Sequence, residues 1–207
     1  QTAFPQLQTY RVRCSINPNL FYFPEKKGNQ ICVLARKNLS DLQQVCQILR
    51  HRDRLQGFRL VRVLDLPHAE LAKIMRESAI FMSFGDPEGF GLPAAEAMAA
   101  GCLTVGYHGR GGREFFKPEF SYPIERGDIL GFVHGVERAI EDWTDRPDET
   151  IAKVKTASAY IRNTYSPEKQ AQDIIQTWSD IFARLSGSQT AMANPNSAPV
   201  PTQPVIF

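Results

Sequence analysis

Glu88 and Glu96 fall in the loop densest in residue types that could do chemistry, Gly85-Asp86-Pro87-Glu88-Gly89-Phe90-Gly91-Leu92-Pro93-Ala94-Ala95-Glu96. Gly89 and Gly91 remove side chains where backbone must come close to another group. Pro93 suits the first turn of a helix, whose unpaired N–H groups point back into the loop. Such a terminus is a ready anion site, and phosphate is its common guest. Glu88 falls in the loop on the ligand side, and Glu96 in the first turn of the helix, where the dipole favours negative charge. A carboxylate so placed can accept two hydrogen bonds from a ribose diol, each charge-assisted bond being worth roughly 1.5–3 kcal/mol. Taken singly, a helix-start charge and tightly packed glycines would account for these residues with no ligand at all.

The elements that must hold this loop are legible on either side of it. Ile31 to Ala35 is a short apolar run, as a strand buried on both faces requires. Leu39, Leu42, Val45, Cys46 and Leu49 recur at helical spacing, with Ser40 and Gln43 offering a capping box. Phe58–Val63 is a second strand, Pro67 precedes a helix through Met75, and Ala79–Phe84 is a third strand. The loop then leads into an alanine-rich helix, Pro93–Ala100, closed by Gly101. Leu103–Tyr107 is a fourth strand and Phe120–Ile124 a short fifth. Asp128 caps a helix to Trp143, another spans Thr150–Thr164, and Ser166-Pro167 opens a last one to about Leu185. Strands alternating with helices imply an α/β fold, a Rossmann-like parallel sheet with helices on both faces. Ligands bind beyond the carboxyl ends of such strands, here the loops at 35–39, 64–68, 85–92 and 107–114.

Residues 1–28 read as a lead-in segment with turns at Asn17-Pro18-Asn19 and Lys26-Lys27-Gly28, residues 29–185 as the domain, and residues 186–207 as a disordered tail. The chain is 43% hydrophobic and 22% charged, ordinary for a globular protein and unlike collagen or a disordered chain. No apolar run approaches the ~18 residues of a membrane helix. The absence of a leader pattern and of a starting Met gives the expectation of a fragment or one half of a split enzyme. Cys14, Cys32, Cys46 and Cys102 show no zinc or redox spacing and read as free thiols in a reducing cytosol. The four histidines are scattered, with His108 read as a solvated loop residue, so no metal site is expected.

The net charge of +2 conceals an asymmetry: residues 1–76 hold 13 Lys/Arg against 5 Asp/Glu, and residues 77–207 hold 11 against 17. The basic half suits a phosphate or a membrane surface, although Arg50, Arg52 and Arg54 are read as solvating a helix end. No basic stripe interleaved with aromatics is present, so nucleic acid is not an expected partner. Gly89-Phe90-Gly91-Leu92-Pro93-Ala94 also matches a dinucleotide fingerprint. It follows the third strand rather than the first, however, and the acidic residue due about 20 positions later is missing.

Glu88-GFGLPAA-Glu96-AMAAG resembles the EX7E motif of retaining GT-B glycosyltransferases, the group-1 family (glycosyltransferase family 4). The flanks resemble it too: Ala79–Phe84 before the motif, Gly101–Tyr107 after it, Gly111-Gly112-Arg113-Glu114 like the family's GG-x-E turn, and Gly127-Asp128 at the next helix. Ile16–Phe21 resembles the segment leading into the domain, so the resemblance covers roughly residues 16–185. It implies the C-terminal, donor-binding half of a GT-B fold. By that resemblance Glu96 would hold the ribose hydroxyls of a nucleotide sugar, and Glu88 would be the catalytic-site carboxylate near the reacting carbon. The amides of Phe90, Gly91 and Leu92 would cradle the diphosphate, Arg36 would neutralise it, and the base would lie by Leu64–Leu66. A hexose would pass from an NDP-sugar to a glycan or lipid-linked acceptor, without metal or other cofactor and with retention. This chemistry is expected in the cytoplasm, with peripheral contact at the inner face of the membrane.

The chain departs from the family in two ways. The second basic residue of the family, a Lys six positions after the Arg, is Leu42 here, with Lys37 as its substitute. An N-terminal acceptor-binding domain, which in the family usually carries a catalytic His, is absent from these 207 residues. The alternative is a non-catalytic half domain used for binding or assembly.

Overall fold

The computed structural model describes residues 7–34 and 36–192, with the side chains of 187–192 left aside. Two compact units divide the chain: Cys14–Pro167, and the terminal stretches Gln1–Arg13 with Glu168–Phe207. In the first unit, five strands form one sheet: β1 (Gly28–Leu34), β2 (Arg59–Val63), β3 (Ser78–Ser83), β4 (Leu103–Tyr107) and β5 (Ser121–Ile124). Their order is β2-β1-β3-β4-β5, and every pairing is parallel. Between them run α1 (Leu39–His51), α2 (His68–Glu77), α3 (Leu92–Ala99) and a 3-10 turn (Gly111–Glu114), and after β5 come α4 (Ile129–Asp145) and α5 (Pro147–Thr164). The fold is therefore the α/β, Rossmann-like sheet that the alternation of periods requires.

Every residue of β3 and β4 is buried, because helices cover both faces of the sheet. Ile31, Val33, Ile80, Met82, Leu103 and Val105 form one core with Leu42, Val45 and Leu49 of α1 and Phe132, Val133 and Val136 of α4. Their neighbours along the strands, Cys32 and Phe81, turn the other way and pack with Met75 of α2, Ala95 and Met98 of α3, and Ala157 and Ile161 of α5. Helix α3 can sit this deep because four of its eight residues are alanine, small enough for close approach to both the sheet and α5. Lys27, just before β1, is partly buried. Its Nζ donates to Met75 O (3.1 Å) and Ala100 O (2.6 Å), and burial lowers its pKa.

Several local expectations are corrected. Helix α1 does not start with a Ser40/Gln43 capping box: its N-cap is Asn38, in the left-handed region at φ 48°, and Ser40 lies inside the helix. Asn tolerates that region, and its side chain is needed elsewhere, as described below. Arg52 and Arg54 do more than solvate a helix end, since each approaches Glu137 Oε1, at 3.3 and 3.8 Å. Asp128 caps α4 as expected, its Oδ1 accepting from Gly131 N at 2.8 Å.

In the second unit, α6 (Pro167–Met192) continues into the stretch read as tail, and residues 193–207 lie outside the described ones. Arg13 clamps Asp173 there through its backbone N and its guanidinium, at 2.6–3.0 Å. These bonds hold the Asp173 carboxyl down at about 2. Among the described residues no helix is long and apolar enough to cross a membrane.

Candidate functional site

Strand order decides where a site can form. With β1 and β3 adjacent and their onward connections leaving in opposite directions, the switch point of the sheet lies between them. The loops after β1 and β3 therefore meet, and three observed bonds join them. Asn38 Nδ2 donates to Phe84 O (2.8 Å) and Asp86 O (2.9 Å). Lys37 Nζ donates to Pro87 O (2.6 Å) and lies 2.8 Å from Glu88 Oε1. Lys37 thus points at the motif rather than away from it, and Glu88 stands beside a cation. Arg36, also at this mouth, is exposed.

The loop after β4 supplies the other wall. Glu88 N donates to Gly109 O (2.9 Å) and Gly111 N to Glu88 O (3.3 Å), an isolated parallel bridge between Glu88 and Arg110. The two backbones lie so close that a Cβ at Gly111 would overlap Gly89 O. Tyr107 braces the end of β4: its hydroxyl donates to Asp41 Oδ2 (2.8 Å) and accepts from Gly127 N (3.2 Å). Burial pushes its pKa up to about 12. His108, expected to be solvated, is instead folded in: Nδ1 accepts from Arg110 N (3.0 Å), and its side chain is only 9% exposed.

Gly91 is the N-cap of α3 at φ 93°, a backbone conformation glycine adopts without strain. Its carbonyl accepts from Ala94 N and Ala95 N. The amides of Phe90, Gly91 and Leu92 donate to nothing among the described residues. They are open donors at a helix N-terminus, where the dipole favours an anion. The Phe90 ring turns inward against Phe115 and Tyr165, at 5.1 and 5.0 Å between centroids, which anchors the loop that carries these amides.

Glu96 lies one turn into α3 and is 8% exposed. Burial raises its pKa, and a hydrogen bond to His68 works in the opposite direction. His68 Nε2 donates to Glu96 Oε1 at 2.8 Å, and no protein group among the described residues reaches Oε2. His68 opens α2 directly after the β2 loop, in which Leu64 and Leu66 are exposed, 52% and 40%. Sequence reasoning passed over His68, since nothing local marks a histidine that meets a carboxylate 28 residues away. Asn38 was missed as well, although Asn just after a strand and just before a helix is a recognisable left-handed signal. Among the described residues, no group of three or more His, Cys, Asp or Glu is placed to hold a metal.

A parallel sheet with these loops at its switch point defines a Rossmann-like domain. The chain belongs to the family described as glycosyl transferases group 1, which matches residues 59–178. An alpha-1,6-glucosyltransferase of Actinobacillus pleuropneumoniae serotype 7 (strain AP76) is 29% identical over 125 residues, 59% of this chain and 37% of that protein. Among solved structures, sucrose-phosphate synthase from Thermosynechococcus elongatus superposes with a TM-score of 0.63 at 21% identity, over 86% of this chain and 53% of that one. Anabaena HepE, solved with UDP and glucose, gives 0.59 at 14%, over 80% and 55%. The C-terminal domain of a group 1 family protein from Francisella tularensis gives 0.56 at 16%, over 74% of this chain and all of that domain. The chain thus spans about a third to a half of the full-length relatives, and the fold it shares with the Francisella structure is that of a C-terminal domain.

Proposed function

We propose that this chain is the donor-binding domain of a retaining glycosyltransferase that moves a hexose from a nucleoside diphosphate sugar to a glycan or lipid-linked acceptor. The observation that carries the reading is the mouth between β1 and β3. Three open amides at 90–92 and the Lys37–Glu88 pair line it, and the half-partnered Glu96 lies one turn into the helix that follows. Glu96 takes the ribose hydroxyls, and the base rests by Leu64–Leu66. The amides of Phe90, Gly91 and Leu92, with Arg36 and Lys37, balance the diphosphate. Glu88 faces the donor sugar near its reacting carbon.

UDP-glucose is the donor to test first. The names of the Actinobacillus glucosyltransferase and of the UDP- and glucose-bound Anabaena structure support that choice. In the reaction, the bond from the anomeric carbon to the diphosphate oxygen breaks. A bond to the acceptor oxygen forms on the same face, and the acceptor proton passes to the leaving diphosphate. Positioning and fixed dipoles supply the catalysis, with no metal in the scheme. The acceptor is held against a second, N-terminal domain. Free thiols at Cys14, Cys32, Cys46 and Cys102 suit a reducing compartment and support the cytoplasm as the site of the proposed reaction; peripheral contact at the membrane is part of the same proposal.

Calorimetric titration with UDP, GDP, ADP and TDP, without metal, tests this reading. Saturable binding of one of them, UDP first, is the expected result. If none binds, the donor site is refuted for this chain, and the non-catalytic half domain becomes the better description.

A further inference from the structure

We infer that His68 is the positioning residue of the ribose site: its Nε2–H holds one oxygen of Glu96 and leaves the other aimed at the sugar hydroxyls, so the site selects ribose through His68. This inference rests on the reading of Glu96 given above and adds to it the group that makes Glu96 selective.

Three features of the pair carry the argument. The first is confinement. Glu96 is itself only 8% exposed, so its carboxylate has little freedom to swing toward bulk water. His68 is backed by Phe21, fully buried, whose ring centroid lies 5.0 Å away at a 55° tilt. Phe21 is fixed in turn by Phe21 N donating to Asn17 O (3.0 Å), and Arg76 Nη1 ties the preceding residue by donating to Leu20 O (2.5 Å).

The second feature is stoichiometry. An imidazole offers one rigid N–H at this reach, whereas a guanidinium would fork across both carboxylate oxygens and close the site. The pair therefore ends half-satisfied, with Oε1 taken and Oε2 without a protein partner among the described residues. The third feature is access. The His68 side chain is 55% exposed and opens the helix that follows the loop of Leu64 and Leu66, so a ligand can reach the bond from solvent. Burial works against the charge on Glu96, and His68 is the group that works for it. A carboxylate stripped of that donor would take up a proton more readily and lose its preference for accepting from hydroxyls.

The test compares UDP with 2′,3′-dideoxy-UDP by calorimetry on the full chain, in wild type, His68→Ala and His68→Gln, with thermal melts confirming that each variant is folded. Wild type should favour UDP by about tenfold or more, the worth of at least one charge-assisted bond. In His68→Ala the preference should shrink to about threefold or less, the level of a weak neutral contact. His68→Gln keeps a side-chain N–H and should stay within about threefold of the wild-type ratio.

If the alanine variant keeps the full preference, His68 has no part in selection, while the ribose role of Glu96 stands. If the glutamine variant behaves like the alanine variant, packing on Phe21 matters rather than the N–H, and the inference is overturned. If wild type treats the two nucleotides alike or binds neither, the ribose reading of Glu96 itself fails, and the inference fails with it.

Discussion

Replacing Glu96 with glutamine should move affinity and stability in opposite directions. Glutamine keeps the size and reach of the side chain but loses the charge and turns one acceptor oxygen into a donor NH2. His68 decides which one. Its Nε2–H holds the Oε1 position, so the amide oxygen stays there and the NH2 takes the Oε2 position, where the ribose hydroxyl is to be received. One charge-assisted bond of about 1.5–3 kcal/mol is then lost outright. At about 1.4 kcal/mol per decade, that is roughly a 10- to 150-fold weaker affinity for the nucleoside diphosphate.

Stability runs the other way. Burial raises the Glu96 pKa in the folded chain above its unfolded value. For an acid shifted upward, the folded state binds more protons, so the associated stability is full at low pH and is lost as pH rises through the folded pKa. Glutamine removes that loss. The variant should therefore melt at or above the wild-type temperature at pH 7–8, about the pH where carboxylates are ionised. Its advantage should fade on acidification into the carboxylate range. Calorimetry with UDP and melts between about pH 4 and pH 8 give both numbers, the lower limit lying near ordinary carboxylate pKa values. Less than about a threefold change in affinity would remove a charge-assisted contact from the account. A melting temperature several degrees below wild type would refute the claim that the buried charge is a cost.

Two further outcomes are expected. Arg36→Ala and Lys37→Met should each weaken a nucleoside diphosphate about tenfold more than the bare nucleoside, while Lys37→Met costs at most about 1 kcal/mol of stability because its pair with Glu88 is half exposed; equal losses for both ligands in calorimetry would remove the diphosphate contact. Gly111→Ala places a Cβ against Gly89 O and within 2.9 Å of Glu88 O, backbone atoms that no rotamer change can move. It should cost about 1–3 kcal/mol, a fall of roughly 2–12 °C in melting temperature, and UDP binding should weaken with it. A variant that melts and binds like wild type would show that the loops after β3 and β4 are not pressed together.

Much of the scaffold was readable because its causes are local. Apolar runs at 31–35, 79–84 and 103–107 marked β1, β3 and β4, since a strand covered on both faces needs continuous apolar residues. Asp128 announced the start of α4 because a cap acts over three residues. The glycines, Pro93 and Glu96 marked the loop proposed to take an anion for the same reason: each acts on the backbone close to it. Where local signals conflicted, the reading slipped. Ser40 and Gln43 spell a capping box, but Asn38 takes the N-cap because its side chain binds two carbonyls of the loop after β3. His108 looked solvated because its polar neighbours in sequence give no sign that the turn folds back over its ring.

By itself, then, the sequence determined the alternating elements, the parallel sheet they imply and the residue types set between Glu88 and Glu96. Tertiary structure alone decided the strand order, and through it the partners. Placing β1 beside β3 brings Lys37 onto Glu88, and the meeting of α2 with α3 brings His68 onto Glu96, 28 residues apart. Hydrophobic periodicity tells each element which face to bury but says nothing about which neighbour it will be buried against. That choice belongs to the packing of the whole core, and the pairings at the site follow from it.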